Sequence, residues 1–411
     1  MMSEQWNNWS GSVACTPRRI ATPSSEAETC ALVRDAANEG MIVRVAGTGH
    51  SFTPLVATDG LLLSLDQWTG IESVDAARLR VTVRAGMKLH DLGEALLQHG
   101  LAMANLGDVD VQSLAGAVST GTHGTGPTLG NLSTYVCGAR IVTGSGDLVD
   151  VSKEDLPALR VSLGTLGVLS ALTLQVLPAY RLHERVWREP IDRCLARLDE
   201  RIADNTRYEF FWFPTGDEVE CKTLNPTDRP ADEASADLVM GTPASLEAGV
   251  VRAPAERERV GWSAWVIPSV RARMFNEMEY ALPAEMGPAC FRAVRERMLA
   301  RHPAVLWPVE YRTLAADDAW LSPAFGRESV TISIHQDARL PFQDFFADIE
   351  PIFQAHDGRP HWGKIHSGTP AGLQERYPRW SDFQQAREQL DSAGRFLNPY
   401  LRTLFGTDAG G

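Results

Sequence analysis

The segment R-V-A-G-T-G-H-S-F-T-P-L, residues 44–55, restricts the possible folds of this chain more than any other stretch. Two glycines flank Thr48 and His50 follows directly, so a backbone-exposing turn carries an imidazole. A Rossmann dinucleotide turn is disfavoured, because the third glycine is missing and Thr53 and Pro54 break a following helix. Consecutive backbone N–H groups can bind an anion without a helix. The segment predicts an anion-binding loop; the simpler alternative is a turn with a polar neighbour.

The length and the charge of the chain limit its class. A chain of 411 residues is long for one hydrophobic core, so two domains are expected. The formal net charge of −13 makes nucleic acid an unsuitable partner, because neutralising phosphates requires a basic surface. The same charge disfavours docking on an anionic membrane surface.

The cysteines and the apolar runs indicate a soluble, cytoplasmic protein. The six cysteines lie far apart and form no C-x-x-C pair, which predicts neither a zinc site nor a disulfide framework. The start, M-M-S-E-Q-W, lacks the basic and apolar regions of a signal peptide. The longest uncharged run, residues 161–177, is shorter than the ~20 apolar residues of a membrane span. Its glycines predict two buried strands joined by a turn.

Residues 1–178 are predicted to alternate strands with short helices. Ser25 and Glu28 form a capping-box pattern, and the helix that follows closes at Gly40. A second helix, amphipathic, ends at Gly100. A second glycine-rich segment covers residues 113–126, and a hairpin follows it.

The composition changes at residue 179, which predicts a second domain over residues 179–355. Y-E-F-F-W-F-P, residues 208–214, is typical of a buried strand. A loop rich in Pro, Ala, Asp and Glu covers residues 225–259, and its tip is expected to be mobile. Residues 356–411 form a C-terminal segment that contains H-W-G-K-I-H and a helix around W-S-D-F-Q-Q-A-R.

Two short segments place polar side chains on alternating positions. V-E-Y-R-T presents Glu310 and Arg312 on one face of a strand, and I-S-I-H-Q does the same with Ser333 and His335. Two such strands of one sheet can present these groups to one cavity, and Lys364 would approach from the C-terminal segment. The alternative is an exposed Glu310–Arg312 ion pair, which would contribute little to the stability of the fold.

Four motifs in this order resemble the vanillyl-alcohol-oxidase class of flavoproteins: G-T-G-H-S-F, G-T-H-G-T-G, V-E-Y-R-T and R-P-H-W-G-K. Within that class the chain resembles the sugar-1,4-lactone oxidases and dehydrogenases and the related alditol oxidases. The resemblance extends from W-N-N-W at residue 6 to R-F-L-N-P-Y at residue 395.

The resemblance implies the fold and the cofactor. It implies an α+β, two-domain flavoprotein with a bipartite FAD-binding domain (1–178, rejoined by 356–411) and an α+β substrate or cap domain on an antiparallel sheet (179–355). It implies FAD joined covalently through its 8α-methyl carbon to His50, with a non-covalent FAD as the alternative. The other implied cofactor contacts are Gly47, Thr48, Gly49, Ser51, Ser113, Gly116, Gly121, Thr122, His123, Gly124, Gly164, Gly167 and Val168. His123 is expected to fix its loop rather than to act as a base.

The resemblance also implies the chemistry. Lys364 and Glu310 would bind and activate the reacting hydroxyl, Arg312 would stabilise negative charge, and His335 would act as base or hydroxyl ligand. Ser113 and Ser333 would contact the substrate. In alditol oxidases the active-site His aligns with Ser333, two residues earlier, so the position of His335 favours the lactone branch, as do Y-E-F-F-W-F-P and N-E-M-E-Y (276–280).

The implied reaction is oxidation of the C2 hydroxyl of a sugar-1,4-lactone, with O2 or another acceptor reoxidising the flavin. An alditol oxidase acting on a terminal carbinol is the nearest alternative. A non-catalytic FAD- or carbohydrate-binding protein is a further alternative, disfavoured because the polar set is complete. No metal and no membrane insertion are expected.

Overall fold

The computed structural model describes residues 5–232, 239–240, 256–271 and 273–407. In the first part of the chain a parallel sheet joins Arg19–Ala21, Leu61–Ser64 and Val43–Ala46 in that spatial order. An antiparallel sheet joins Leu148–Asp150, Val136–Val142, Val168–Gln175, Arg80–Arg84 and Ile71–Asp75. The helices of this part are Glu26–Asn38, Leu89–Gln98, Leu114–Thr120 and Leu156–Leu159, with a 3-10 turn at Leu132–Tyr135.

A large antiparallel sheet dominates the second part. Its strands are, in spatial order, Arg257–Trp262, Arg181–Pro190, Glu218–Thr227, Tyr208–Trp212, Val309–Leu314, Ser329–Asp337, Phe275–Pro283 and Arg359–Pro360. Its helices are Ile191–Ala196, Leu198–Asp204, Ser263–Val266, Gly287–Arg301 and Gln343–Ala355, with a 3-10 turn at Ala284–Met286.

Smaller elements complete the fold. The last helices are Pro370–Arg376, Trp380–Leu390 and Pro399–Phe405. Two-residue strands pair as Trp6–Asn7 with Ala14–Cys15, Leu101–Ala102 with Leu177–Pro178, and Val239–Met240 with Val270–Arg271. None of the helices in the described ranges combines the length and the apolar character needed to cross a bilayer.

The large sheet separates a hydrophobic core from a polar cavity. Along the Phe275–Pro283 strand, Met278 and Tyr280 pack into a core with the helices Gly287–Arg301 and Gln343–Ala355. The alternate residues Glu277 and Glu279 lie on the other face and line a cavity. The period of two in strand side chains therefore puts carboxylates on one face while the opposite face is apolar.

The C-terminal segment packs with the first part of the chain. Trp362, Phe383 and Leu401 belong to the same buried cluster as Val33 and Leu172. A different cluster, around Tyr208, Phe291 and Ile332, fills the space under the large sheet. The chain thus returns to the first part after it leaves the large sheet.

Several predicted elements are confirmed. Ser25 caps the Glu26–Asn38 helix by accepting a hydrogen bond from the Glu28 N–H. Tyr208–Trp212 is a fully buried strand. The hairpin that follows the glycine-rich segment pairs Val136–Val142 with Leu148–Asp150.

One prediction needs correction, and one segment without a predicted structure can now be described. Residues 161–167 form turns rather than the first of two strands, because Leu163, Gly164 and Gly167 have φ of +54°, +64° and +153°, which no extended strand contains. The second glycine-rich segment is partly helical, since Leu114–Thr120 is a helix capped by Ser113. Most of the loop predicted near residues 225–259, whose tip is expected to be mobile, lies outside the described residues.

Candidate functional site

The G-T-G-H-S loop opens onto a cavity of about 990 Å³, called here the cofactor cavity. Its wall also includes Gly86, residues of the Leu114–Thr120 helix and of the turns at 161–167, and Leu169 of the following strand. The predicted cofactor contacts that line it are Gly47, Thr48, Gly49, His50, Ser51, Ser113, Gly116, Gly164 and Gly167. No described residue accepts a hydrogen bond from the N–H groups of residues 48–51. A row of such donors at a cavity wall suits a phosphate group.

The N-terminal segment holds this loop from one side. The Trp9 N–H donates to the Gly49 carbonyl at 2.8 Å, and the Asn8 side-chain amide donates to the Ser51 carbonyl at 3.1 Å. Gly49 has φ of +73°, and an added Cβ would lie 3.3 Å from Asn8 Cα and from Trp9 N. Glycine is required here by both its backbone angle and this close approach.

The C-terminal segment holds the loop from the other side. The Phe52 N–H donates to the Gly363 carbonyl at 2.7 Å, and the Thr53 hydroxyl donates to the Trp362 carbonyl at 2.9 Å. Two segments far apart in sequence therefore fix the position of His50.

His50 is held as a neutral imidazole. Its ring stacks on Trp9, with centroids 5.0 Å apart and 28° between the planes. Burial, aided by the Lys364 charge, lowers the pKa of His50 to about 4. A neutral ring at pH 7 keeps a nitrogen lone pair available for bond formation.

A second cavity of about 760 Å³, called here the substrate cavity, adjoins the first. Both cavities share the wall residues His50, Ser51, Gln112 and Thr120. The predicted residues Glu310, Arg312, His335 and Lys364 all line the substrate cavity, as do Thr122 and His123. The four side chains thus line one cavity, which adjoins the cofactor cavity.

Arg312 is the centre of a buried ion cluster. Its guanidinium binds Glu310, and it lies 2.9 Å from Asp108 and 3.4 Å from Glu209. The Ser333 hydroxyl donates to Glu310 at 3.2 Å. The arrangement rules out the exposed ion pair, since Glu310 and Arg312 are 5% and 8% exposed.

Glu310 has an unusually high pKa for a carboxyl beside an arginine. Burial raises the pKa of Glu310 to about 6, although the Arg312 charge opposes this shift, and repulsion from Asp108 adds to it. The carboxyl therefore titrates just below neutral pH.

We expect kcat/KM to fall below about pH 6, approaching tenfold per pH unit, because protonation removes the Glu310 carboxylate that the family resemblance assigns to the substrate hydroxyl. The effect on stability has the opposite sign: the raised pKa of Glu310 stabilises the fold at acid pH, and this contribution is lost as the pH rises through about 6. Steady-state pH profiles of the wild type and Glu310→Gln measure this. The variant should lack the acid limb; an unchanged limb in the variant contradicts the assignment.

Lys364 is held by the carboxylate of Glu277, a residue for which no role was predicted. Its ammonium binds Glu277, whose other oxygen lies 3.5 Å from His335 Nε2. His335 Nδ1 donates to the Pro308 carbonyl at 2.9 Å, which fixes the ring. Burial would raise the pKa of Glu277, but Lys364 and His335 outweigh it and lower this pKa to about 2. Glu277 therefore stays ionised between two predicted active-site groups.

His123 and Glu279 form a buried ion pair in the same cavity. His123 Nε2 lies 2.6 Å from a Glu279 oxygen, and Nδ1 lies 2.8 Å from the Gly124 carbonyl. Both neighbours only accept, so both ring nitrogens donate and the ring is an imidazolium. Burial would lower the pKa of His123, but the Glu279 charge outweighs burial and raises this pKa. Burial would raise the pKa of Glu279, but the His123 charge outweighs burial and lowers that pKa. The pair supports the expected role of His123 in fixing its loop.

Glu279→Gln should cost about 3 kcal/mol at neutral pH, because it leaves a buried cation without its partner. Because the pKa of Glu279 is lowered by folding, this group stabilises the fold at pH values above its unfolded-state pKa of about 4.3. Because the pKa of His123 is raised by folding, this group stabilises the fold until the pH rises through its folded-state pKa. The difference in Tm between wild type and variant should therefore shrink at alkaline pH. Glu258→Gln, which breaks an exposed pair with His183, is the control and should leave Tm unchanged. Equal losses in both variants contradict the prediction.

Three predicted cofactor contacts are absent from the described walls of both cavities: Gly121, Gly124 and Val168. Gly121 has φ of +75° and ends the Leu114–Thr120 helix. A Cβ at Gly124 would lie 2.1 Å from the Leu106 carbonyl oxygen, and Val168 is a core residue. The end of a helix explains the glycine at position 121, and close packing explains Gly124 and Val168. Ser333, predicted to contact substrate, is also absent from the described wall and lies behind Glu310.

Sequence reasoning assigned no role to several residues of the substrate cavity: Asp108, Arg271, Glu277, Glu279 and His361. A usable signal existed for the two glutamates, because N-E-M-E-Y alternates as V-E-Y-R-T does. Their strand partners across the ladder are His335 and Ser333.

Comparison with known proteins identifies related families. A family profile described as D-arabinono-1,4-lactone oxidase matches residues 172–243 and 239–404, and an FAD binding domain profile matches residues 17–152. The L-gulono-1,4-lactone dehydrogenase of Mycobacterium tuberculosis is 38% identical, over 98% of this chain and 100% of that protein. The alditol oxidase of a Streptomyces species is 31% identical, over 98% of this chain and 99% of that protein.

A solved structure confirms the α+β flavoprotein fold. The crystal structure of cholesterol oxidase from B. sterolicum aligns with a TM-score of 0.84 over 98% of this chain and 97% of that chain, at 18% identity. The residues of the cofactor cavity fit FAD, since its wall offers unpartnered backbone donors suited to a pyrophosphate and places His50 at the junction with the substrate cavity.

Proposed function

The chain belongs to the D-arabinono-1,4-lactone oxidase family of FAD-dependent oxidoreductases, and on that premise we propose that it oxidises the C2 hydroxyl of a sugar-1,4-lactone such as L-gulono-1,4-lactone. One observation carries the proposal. Glu310, Arg312 and Lys364 face a single cavity that shares its wall with the cofactor cavity. This arrangement supports a reaction in which the polar groups bind a substrate beside a flavin held in the cofactor cavity.

Bound FAD supplies a two-electron acceptor for the hydride of the carbinol carbon. Glu310 and Lys364 bind and activate the reacting hydroxyl, and Arg312 stabilises the negative charge that develops on the oxygen. His335 donates through Nδ1 to the Pro308 carbonyl, so its role as base or hydroxyl ligand falls to Nε2, which lies 3.5 Å from a Glu277 oxygen.

The substrate class is supported by the higher identity to the lactone dehydrogenase, 38% against 31% for the alditol oxidase. His335, rather than Ser333, lines the cavity, which also favours the lactone branch. The second candidate is oxidation of a terminal carbinol of xylitol or sorbitol, which the match to an alditol oxidase supports.

Steady-state rates on L-gulono-1,4-lactone and on xylitol separate these candidates. The proposal expects a higher kcat/KM on the lactone; a higher value on xylitol overturns it. Absence of flavin bleaching under anaerobic conditions with either sugar would favour a non-catalytic binding protein. Release of H2O2 during turnover would identify O2 as the acceptor, whereas turnover with an artificial acceptor alone would identify a dehydrogenase.

The proposed attachment of FAD to His50 is supported by the neutral, clamped imidazole at the cavity junction. We expect the acid-precipitated wild type to be yellow and His50→Ala to give a colourless pellet, because only the wild type forms the histidyl bond. Absorbance of the pellet and of the supernatant measures this. His99→Ala, which changes a helix C-cap residue, is the control and should stay yellow. Flavin wholly in the wild-type supernatant contradicts covalent attachment.

The division into an FAD-binding domain (1–178 with 356–411) and a cap domain (179–355) is part of the proposal. The common buried cluster of Trp362, Phe383 and Val33 supports it.

A further inference from the structure

His361 belongs to the R-P-H-W-G-K motif, from which only Lys364 was assigned a role. Its backbone N–H donates to the Glu279 carbonyl, and its own carbonyl accepts from the Lys364 N–H, both at 2.9 Å. Its side chain is 6% exposed and lines the substrate cavity. It is absent from the described wall of the cofactor cavity. The ring thus faces the space that a substrate would occupy.

The structure fixes which nitrogen of this ring carries a proton. The Gly363 N–H donates to His361 Nδ1 at 3.1 Å, so Nδ1 is unprotonated and its lone pair accepts this hydrogen bond. The proton of the neutral ring is therefore on Nε2. Burial lowers the pKa of His361 to about 4, although Glu279 opposes this shift, and Lys364 adds to it. The neutral form prevails at pH 7.

His361 Nε2 has no hydrogen-bond partner among the described residues. The neighbouring His123, whose ring centroid lies 5.8 Å away, has both nitrogens occupied by Gly124 and Glu279. A donor on a cavity wall that has no protein partner is available to a ligand or a water molecule. Of the two rings, His361 is the one with a donor available to a cavity occupant.

We propose that His361 binds substrate by donating its Nε2–H to an oxygen of the polyhydroxylated ligand, either a hydroxyl or a lactone carbonyl. Gly363 holds the tautomer, so His361 positions the ligand without exchanging a proton with it. The nature of the ligand rests on the proposed function, whereas the tautomer does not.

Two substitutions separate substrate binding from a structural role. H361N places an amide near Nδ1 and can still accept from the Gly363 N–H, but it removes the Nε2 donor. H361Q extends an amide towards the Nε2 position and removes the Nδ1 acceptor. We expect H361N to lower kcat/KM about 3- to 10-fold, mainly through KM, and H361Q to lower it less. The reverse order, with H361Q the weaker enzyme, would assign His361 to holding the Gly363 turn and overturn the proposal.

The variants are assayed with whichever of L-gulono-1,4-lactone and xylitol the wild type oxidises, so failure of the lactone assignment leaves this comparison intact. The flavin content and absorbance spectrum should be those of wild type; a changed spectrum with an unchanged KM would place the donor on the flavin and overturn the proposal. Nitrogen-15 NMR of histidine-labelled holoenzyme, with the signal assigned by its loss in H361N, should show the Nε2–H tautomer at pH 7. An Nδ1–H tautomer or an imidazolium overturns the inference without any turnover.

Discussion

Arg312→Met is expected to lower kcat/KM about 10²- to 10³-fold, because it removes the cation that, in the proposed mechanism, stabilises the developing negative charge. The same change leaves Asp108, Glu209 and Glu310 buried without their common partner, which should destabilise the fold by about 3 kcal/mol or more. Steady-state rates per bound FAD, together with Tm, measure the two effects separately. Arg312→Lys keeps the charge but cannot contact several carboxylates at once, so its activity should lie between those of Arg312→Met and wild type.

Arg201→Met is the matched control. Arg201 is also buried and paired, with its Nη2 at 2.6 Å from Glu189, but it does not belong to the described wall of either cavity. This variant should lose thermal stability and keep its activity per bound FAD. If Arg312→Met and Arg201→Met show the same activity per bound FAD, Arg312 has no part in the chemistry.

Gly86→Ala is expected to lower Tm and FAD content together. An added Cβ would lie 1.9 Å from the Leu65 carbonyl oxygen and 2.8 Å from that of Trp68, so two backbone segments must separate. Such overpacking costs about 3 kcal/mol or more when the obstacle is backbone rather than a flexible side chain. Gly86 lines the cofactor cavity, so the same displacement deforms the FAD site.

Gly216→Ala is the control for Gly86→Ala, because nothing lies within 4 Å of a Cβ at Gly216. Its Tm should be equal to or slightly above that of wild type. Tm from the loss of tryptophan fluorescence and the flavin-to-protein absorbance ratio give both quantities. A Gly86→Ala protein with the Tm and FAD content of Gly216→Ala would mean that the backbone absorbs the methyl group without cost.

The features predicted from sequence are those that depend on local periodicity. Alternation alone put Glu310 and Arg312 on one face of a strand, and the structure has both in the substrate cavity. The buried strand at Tyr208–Trp212 and the Ser25 cap were likewise set by neighbouring residues. The resemblance supplied the cofactor and reaction class, which periodicity does not encode.

The features that were missed depend on contacts between distant segments. Asp108 reaches the cavity from a loop and meets Arg312 and Arg271, more than 150 positions away in sequence. The glycine requirement of Gly86 comes from the Leu65 carbonyl, which no motif reveals. Gly121 and Gly124 resemble cofactor-binding glycines in the sequence, but a helix end and close packing explain them here.

The loop that carries His50 has a consequence for how the holoenzyme is made. Its outer support comes from Trp362 and Gly363, which a ribosome adds more than 300 residues after His50. A nascent chain released before that point has the turn but lacks its brace. A chain that ends before residue 362 therefore lacks this support beside His50, the residue proposed to hold the flavin, even when every glycine of the loop has already been synthesised.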